Sequence, residues 1–462
     1  MQFMEKVNNF VWGVPALLLI IGVGMYLSIR TGFAQLRLFP KALLLFIKTF
    51  NIRNKDPNGV SPYRALCTAL AATVGTGNLA GVAGAIAIGG PGAVFWMWMC
   101  AFWGMVIKCA EAVLAVQYRI KNRNSEYIGG PMYMISRGMG QQWSWLASMY
   151  CFFGVVAAFG VGNATQINAM MGGINSVIQA CGGHESLWLN ILIGLCSATL
   201  VLLLLSGGAT RIGQAAERLV PFAAVIYLLL GTGVLIVCRE NIPAAFEQII
   251  FGAFAPRAVT GGTVGSVFVA IRIGASRGVF TNEAGMGTAS IAHASAKVNH
   301  PVEQGLMGVI EVFIDTIVIC TMTALVILCS NVHIGYGVDS GVALTVSAFA
   351  SVYGSWVCVP LALILSCFAF ATVLGWGLYG ARCAQYLFGD HAWHRFVWIS
   401  AVTVILGSVL NTGTVWLFSE TVNGLMAVPN LIAVAWLTPE FIKQIRDYKL
   451  FKYSAKNSMA CR

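Results

Sequence analysis

Apolar runs of about twenty residues recur along the whole chain, and a run of that length is what an α-helix needs to cross a bilayer. They fall at roughly 11–29, 65–88, 93–117, 145–178, 188–206, 217–237, 263–290, 305–329, 355–381, 396–411 and 415–437. About eleven spans follow, numbered 1 to 11 in chain order. In hydrocarbon every backbone polar group needs an internal partner, so the expected fold is all-α and integral to the membrane. With 58% hydrophobic and only 10% charged residues, a water-soluble fold is excluded.

The net charge of +11 is a topology signal. Arg30, Arg37, Lys41, Lys48, Arg53, Lys55 and Arg64 lie between spans 1 and 2, and Arg119, Lys121, Arg123 and Arg137 between spans 3 and 4. Arg211 and Arg218 follow span 5, Lys297 follows span 7, and Arg382 and Arg395 follow span 9. Lys443, Arg446, Lys449, Lys452, Lys456 and Arg462 occupy the tail. Eleven alternating spans place all of these on one side and leave only Lys6, Arg239 and Arg257 on the other. The positive-inside rule then puts the amino terminus outside and the carboxyl terminus in the cytoplasm. The partner of this basic surface is anionic lipid, not nucleic acid. Residues 31–50, rich in Phe and Leu with interspersed Arg37, Lys41 and Lys48 and a Pro40 break, read as an interfacial helix. The first run lacks a small-residue cleavage site and reads as a retained span. Cysteines are scattered singly, which fits packing residues and not a disulfide frame or a metal site.

Span 2 contains Gly75, Thr76, Gly77 and Asn78 in the middle of its apolar run. Each glycine costs roughly 1 kcal/mol against alanine in a helix interior. The helix is expected to stop near Val74 and restart near Asn78. Such a gap offers carbonyls to a cation and N–H groups to a carboxylate; the alternative is a small-residue packing face. Span 7 repeats the pattern, with Arg272, Arg277, Asn282, Glu283, Gly285 and Gly287 inside residues 266–296. Five spans separate the two breaks, an odd number, so the two halves have opposite orientation. Paired discontinuous helices in inverted halves point to the midplane site of a secondary transporter.

Other polar residues have two readings each. Gln166, beside Asn163 and Asn168 in span 4, either meets a polar ligand or bonds a neighbouring helix. Glu311 and Asp315, four apart on span 8, either couple protons or neutralise Arg272 and Arg277, and the second reading is favoured. Lys108 and Glu111 read as a local ion pair, and Glu420 as a solvated helix end or a gate. Thr372 in span 9 either back-bonds to its own helix or offers oxygen to sodium. Trp376, between Gly375 and Gly377, is either a pocket wall or packing. An intramembrane enzyme built on Glu283, His293 or His300 finds no supporting motif. A channel and a sensor are the remaining rivals, and the chain has no loop long enough for a sensor's soluble output domain.

The run GGPGAVFWMWMCAFWG, Gly89 to Gly104, resembles the signature of the alanine/glycine:cation symporters, also called the sodium:alanine symporter family. GTGNLAGV in span 2, RGVFTNEAGMGTASIAHASA in span 7, HPVEQG at His300 to Gly305 and FIDTIVICT at Phe313 to Thr321 are similar to the same family. The resemblance implies one extra amino-terminal helix followed by a leucine-transporter-type inverted repeat of five helices. The corresponding divisions are 1–62, 63–240, 241–440 and a basic tail at 441–462. It also implies sodium-driven uptake of alanine, glycine or a similar small amino acid across a bacterial inner membrane, with no cofactor beyond the co-transported ion. Proton coupling and glutamine or serine selectivity are the alternatives. By the same resemblance, amides around Thr76, Gly77 and Asn78 hold the substrate carboxylate, and the Asn78 side chain lies beside the substrate. Gln166, Asn282, Glu283, Ala284 and Gly285 line the pocket, and Trp376 limits its volume. Sodium takes the carbonyls of Ala71, Val74 and Ala369 and the Thr372 hydroxyl. Ala371 and the run GWGLYG, Gly375 to Gly380, depart from the family's usual pattern of a second small hydroxyl residue and GWSYYG.

Overall fold

The computed structural model describes residues 13–51, 60–122, 125–180, 182–256, 266–338, 341–410 and 413–460, with Asn8, Val11 and Thr260. Lys6, Arg53, Lys55, Arg123, Arg257 and Arg462 lie outside these, as do the side chains of Glu420, Lys449, Lys452 and Lys456.

Among the described residues, apolar helices occupy all eleven expected places. Span 1 is Val14–Thr31, span 3 Gly92–Gln117, span 5 Leu187–Leu205, span 6 Gly208–Val237, span 9 Cys358–Phe388, span 10 Ala392–Val409 and span 11 Gly413–Trp436. Spans 4 and 8 each contain a π-helical stretch: Ala158–Ala164 between Ser144–Ala157 and Thr165–Ala180, and Phe313–Cys320 between Pro301–Val312 and Thr321–Cys329. Span 2 is split into Pro62–Thr73 and Gly77–Gly89, bent by 52°. Span 7 is split into Val267–Asn282 and Thr288–Ala294. Both interruptions therefore occur where glycine and polar residues enter an apolar run.

Further elements lie outside the predicted spans, among them the tail helix Thr438–Ala460. Short helices Ile242–Phe254 and Gly341–Tyr353 precede spans 7 and 9, and a hairpin pairs Ile120–Lys121 with Tyr127–Ile128. Span 6 starts at Gly208 and not near 217, because its Arg- and Glu-bearing first turns stay helical. The interfacial segment is interrupted just before Pro40: a short helix, Ala34–Arg37, ends at Leu38 and Phe39–Asn51 begins anew. Pro40 sits in the first turn of Phe39–Asn51, where its missing N–H costs nothing. That helix exposes Leu43, Leu44, Ile47 and Phe50, an apolar face suited to lipid.

Span 3 lies against spans 7 and 8 through small residues. A Cβ on Gly274 would stand 2.3 Å from the Ala93 carbonyl oxygen, and one on Gly305 2.4 Å from Val113. Close backbone approach replaces the hydrophobic effect as the source of helix association in lipid. At one end of the bundle, Arg64 pairs with Glu217 at 2.9 Å and Arg382 with Glu126 at 3.1 Å. Arg119 donates to the carbonyls of Ala294 and Ala296 at this end, beyond the second break. These contacts gather residues that the charge pattern assigns to one side. His300 caps span 8, its Nδ1 accepting the Val302 N–H at 3.2 Å. Burial holds its pKa below the ordinary value, which favours the neutral ring that capping needs.

Candidate functional site

The first break frees specific carbonyls. Val74 adopts an extended conformation, ψ 94°, and ends the α-helix. The Gly75 N–H turns to the Asn78 Oδ1 at 2.8 Å and not to the Ala71 carbonyl one turn back. The Asn78 N–H meets the Gly75 carbonyl at 3.3 Å, not that of Val74. Ala71 and Val74 thus lose their helical donors, and these are the two span-2 carbonyls assigned to sodium. The chain restarts as a π-helix, Gly77–Gly81. Thr323 and Thr345 hydroxyls reach the carbonyls of Asn78 and Leu79 at 2.8 and 3.1 Å. Neighbouring hydroxyls are what make an irregular helix tolerable at membrane depth.

Three non-helical residues of the second break take positive φ: Glu283 at 54°, Gly285 at 92° and Gly287 at 75°. Glu283 is the unusual one, a buried side chain in a conformation that favours glycine. Its Oε2 accepts from the Thr288 hydroxyl at 2.6 Å.

One small cavity brings the two breaks together with spans 4 and 9. Thr76, Gly77, Gln166, Glu283, Thr372 and Trp376 all line it, with Phe280 and Val161. The centre of a water-sized sphere has about 10 Å³ there, room for roughly one water. Thr76 Oγ1 donates to Gln166 Oε1 at 3.0 Å, and Gln166 Nε2 to the Val161 carbonyl at 3.1 Å, so Gln166 is held at both ends. The Thr372 hydroxyl donates to the Phe368 carbonyl at 3.0 Å, the back-bond expected of an apolar helix. It also faces the break, since a Cβ on Gly75 would stand 2.5 Å from its oxygen. Trp376 is fully buried and packs on Gly162, where a Cβ would come within 2.4 Å of the Trp376 Cβ.

The remaining predicted residues are not among the cavity's walls. Asn78 Nδ2 donates to Asp315 Oδ1 at 2.7 Å, so its side chain braces the break against span 8. Asn282 spans from Thr316 Oγ1, at 3.1 Å, to the Ala284 N–H, at 3.0 Å. The Gly285 N–H is bound by Glu111 Oε1 at 3.0 Å. Ala369 lies on span 9 one turn before Thr372, fully buried.

Two charge assignments are corrected. Lys108 does not pair with Glu111. It reaches Glu311 of span 8 at 3.4 Å, both fully buried, while Glu111 is engaged by the Gly285 and Gly287 N–H groups and by Asn430. Glu311 and Asp315 do not neutralise Arg272 and Arg277. Glu311 holds Lys108 and His293, the latter at 2.7 Å, while Asp315 accepts from Asn78 and Thr316. His293 in turn meets Gln304 at 2.6 Å, a structural chain with no nucleophile in it.

Comparison with known proteins bears directly on this geometry. The structure resembles that of MhsT, solved in complex with L-phenylalanine, with a TM-score of 0.56 over 83% of this chain and 97% of MhsT at 13% identity. That likeness establishes the leucine-transporter-type fold. The model of the Sodium:alanine symporter family matches residues 1–460. An uncharacterized transporter of Haemophilus influenzae is 40% identical over 97% of this chain and 96% of its own. The sodium/alanine symporter AgcS of Methanococcus maripaludis is 38% identical over 99% of both. Fold, family and relatives together define a multi-pass membrane protein for secondary active transport of amino acids, not an enzyme. The chain belongs to the sodium:alanine symporter family.

Proposed function

We propose that the chain is a sodium-coupled symporter that carries small neutral amino acids, alanine or glycine, into the cytoplasm across a bacterial inner membrane. The observation that carries this reading is the single cavity lined by Thr76 and Gly77, Glu283 and Thr372. It offers partners for each part of the cargo. The first N–H groups of a restarted helix suit a carboxylate. Glu283 suits the ammonium group. The Thr372 hydroxyl in its wall, together with the freed carbonyls of Ala71 and Val74 and with Ala369, which are not themselves among the walls, suits sodium, which takes oxygen ligands. A zwitterion leaving water needs both of its charges met.

In this mechanism sodium binds first and ties span 2 to span 9. The half-helix start at Thr76 is then ordered to receive the carboxylate. Closure over the substrate lets the bundle rock toward the cytoplasm. An interior-negative membrane contributes about 2.3 kcal/mol per charge per 100 mV. The amino terminus lies outside, and the basic end with Arg64, Arg119 and Arg382 faces the cytoplasm.

Uptake of labelled alanine, glycine, serine and glutamine into proteoliposomes under imposed ion gradients is the test. Alanine and glycine are expected to accumulate chemically unchanged with inward sodium, and not when potassium or choline replaces it. Accumulation driven by a proton gradient alone would transfer the coupling to protons, a reading for which the buried acids Glu283 and Asp315 give a basis.

The small cavity and its indole wall make a size prediction. Trp376→Ala keeps the Cβ that meets Gly162 and removes the ring. Leucine and phenylalanine are expected to enter the substrate range, gaining at least about tenfold in kcat/KM, or about 1.4 kcal/mol. Competition against labelled alanine reads this directly. A variant with the parent's range would make Trp376 packing alone.

A further inference from the structure

Span 3 carries a fully buried carboxylate that the mechanism above leaves unused. Glu111 Oε1 accepts from the Gly285 N–H at 3.0 Å, the Gly287 N–H at 3.2 Å and Asn430 Nδ2 at 2.6 Å. Asn430, from span 11, also donates to the Gly285 carbonyl at 2.8 Å. Gly285 and Gly287 are the glycines of the second break. Main-chain N–H groups converging on one anionic oxygen make the arrangement that a helix start offers to a bound anion. Here the anion belongs to the protein.

We propose that Glu111 is a positioning residue: a resident anion that occupies the second break and thereby aims Glu283 into the cavity. Of the three positive φ values within five residues only that of Glu283 is costly, since glycine takes φ > 0 freely, and such a residue persists only where surrounding groups over-determine it. Glu111 fixes the two glycines that follow, whose backbone would otherwise be free to turn, Asn282 holds the intervening Ala284 N–H, and Thr288 holds the Glu283 carboxylate. Lys108, one turn earlier on span 3, is engaged by Glu311 and leaves Glu111 to the main chain.

The two breaks are then inequivalent. In the first, Thr76 and Gly77 line the cavity; the second has its Gly285 and Gly287 amides already filled by Glu111. A zwitterionic substrate therefore finds one place for its carboxylate and lies one way round, its ammonium toward Glu283. This selects against substrates that lack the amine, such as propionate. The substrate part of the inference rests on the proposed function; the Glu111 contacts do not.

Two measurements on the full-length protein in detergent and in proteoliposomes separate these. The first is hydrogen–deuterium exchange, which needs no substrate. Glu111→Ala is expected to raise exchange across residues 283–287 at least about tenfold, with residues 75–81 unchanged. The second is alanine uptake. KM is expected to rise at least about tenfold with the maximal rate within about threefold, the pattern of lost ground-state binding. Glu111→Gln, which keeps an acceptor oxygen, should recover part of both. Parent-like exchange and KM in Glu111→Ala would overturn the proposal. Should that variant fail to accumulate, Asn430→Ala removes only the side-chain donor and is expected to raise KM about threefold. A parent-like KM and parent-like exchange there would be equally fatal. If the parent itself takes up no alanine, the proposed function fails, while exchange still decides the role of Glu111.

Discussion

Gly75→Ala is expected to abolish sodium-driven alanine uptake, a loss of at least about 100-fold, the scale reached when groups at a reacting or binding centre are displaced by about 1 Å. The added Cβ would lie 2.5 Å from the Thr372 oxygen and 3.6 Å from Gln166 Oε1. Either the Thr372 hydroxyl rotates away or span 9 withdraws from span 2. Both outcomes remove an oxygen from the face where Ala71 and Val74 have shed their helical donors. Span 9 has little freedom to shift, because a Cβ on Gly375, one turn from Thr372, would already meet Ala72 at 2.8 Å. The same substitution at Gly172, on span 4, meets nothing within 4 Å and serves as the control. Initial-rate uptake in proteoliposomes, with size-exclusion profiles to establish folding, reads the difference. A folded Gly75→Ala protein transporting within about threefold of the parent would remove the span 2–span 9 contact from the mechanism.

What could be read from the chain alone follows the range of the interactions involved. The first break was legible because Gly75, Thr76, Gly77 and Asn78 are adjacent and poor in a helix interior. The observed gap, between Thr73 and Gly77, lies within a residue of the expected one. Thr76, Gly77, Gln166, Glu283, Thr372 and Trp376 do converge on one cavity. The partners of the charged residues were not legible. Glu111 and Gly285 are 174 residues apart, and no local spacing announces that pairing. Lys108 and Glu111, three apart, had the spacing of an ion pair, yet each is engaged by a different helix. The π-helical stretches left no signal either, since a one-residue bulge does not alter an apolar pattern that is buried on most sides. Helices Ile242–Phe254 and Gly341–Tyr353 are too short to read as spans and were absorbed into loops. Asn78 shows the same limit at a single residue. Its position in the break was evident, but its side chain turns to Asp315 on span 8 and to its own Gly75.

Thr372→Ala separates the ion from the substrate. The hydroxyl spends its hydrogen on the Phe368 carbonyl, so its oxygen, which faces Gly75, keeps lone pairs with which to accept. Such an oxygen is an acceptor for a hard cation, while the substrate ammonium is assigned to Glu283 in the proposed mechanism. Loss of one ligand oxygen is expected to raise the sodium concentration for half-maximal uptake at least about tenfold, or about 1.4 kcal/mol. Alanine KM at saturating sodium should stay close to the parent's, because Thr76, Gly77 and Glu283 are untouched. Thr372→Ser, which restores the oxygen, should restore the sodium response. Stability should change little, since an intrahelical hydroxyl back-bond contributes little to a helix. Sodium titrations of uptake for the three proteins decide the matter. An unchanged sodium response in Thr372→Ala would take the hydroxyl out of the ion site. If the same protein also accumulated alanine without sodium under an inward proton gradient, the coupling would pass to the buried acids around the second break.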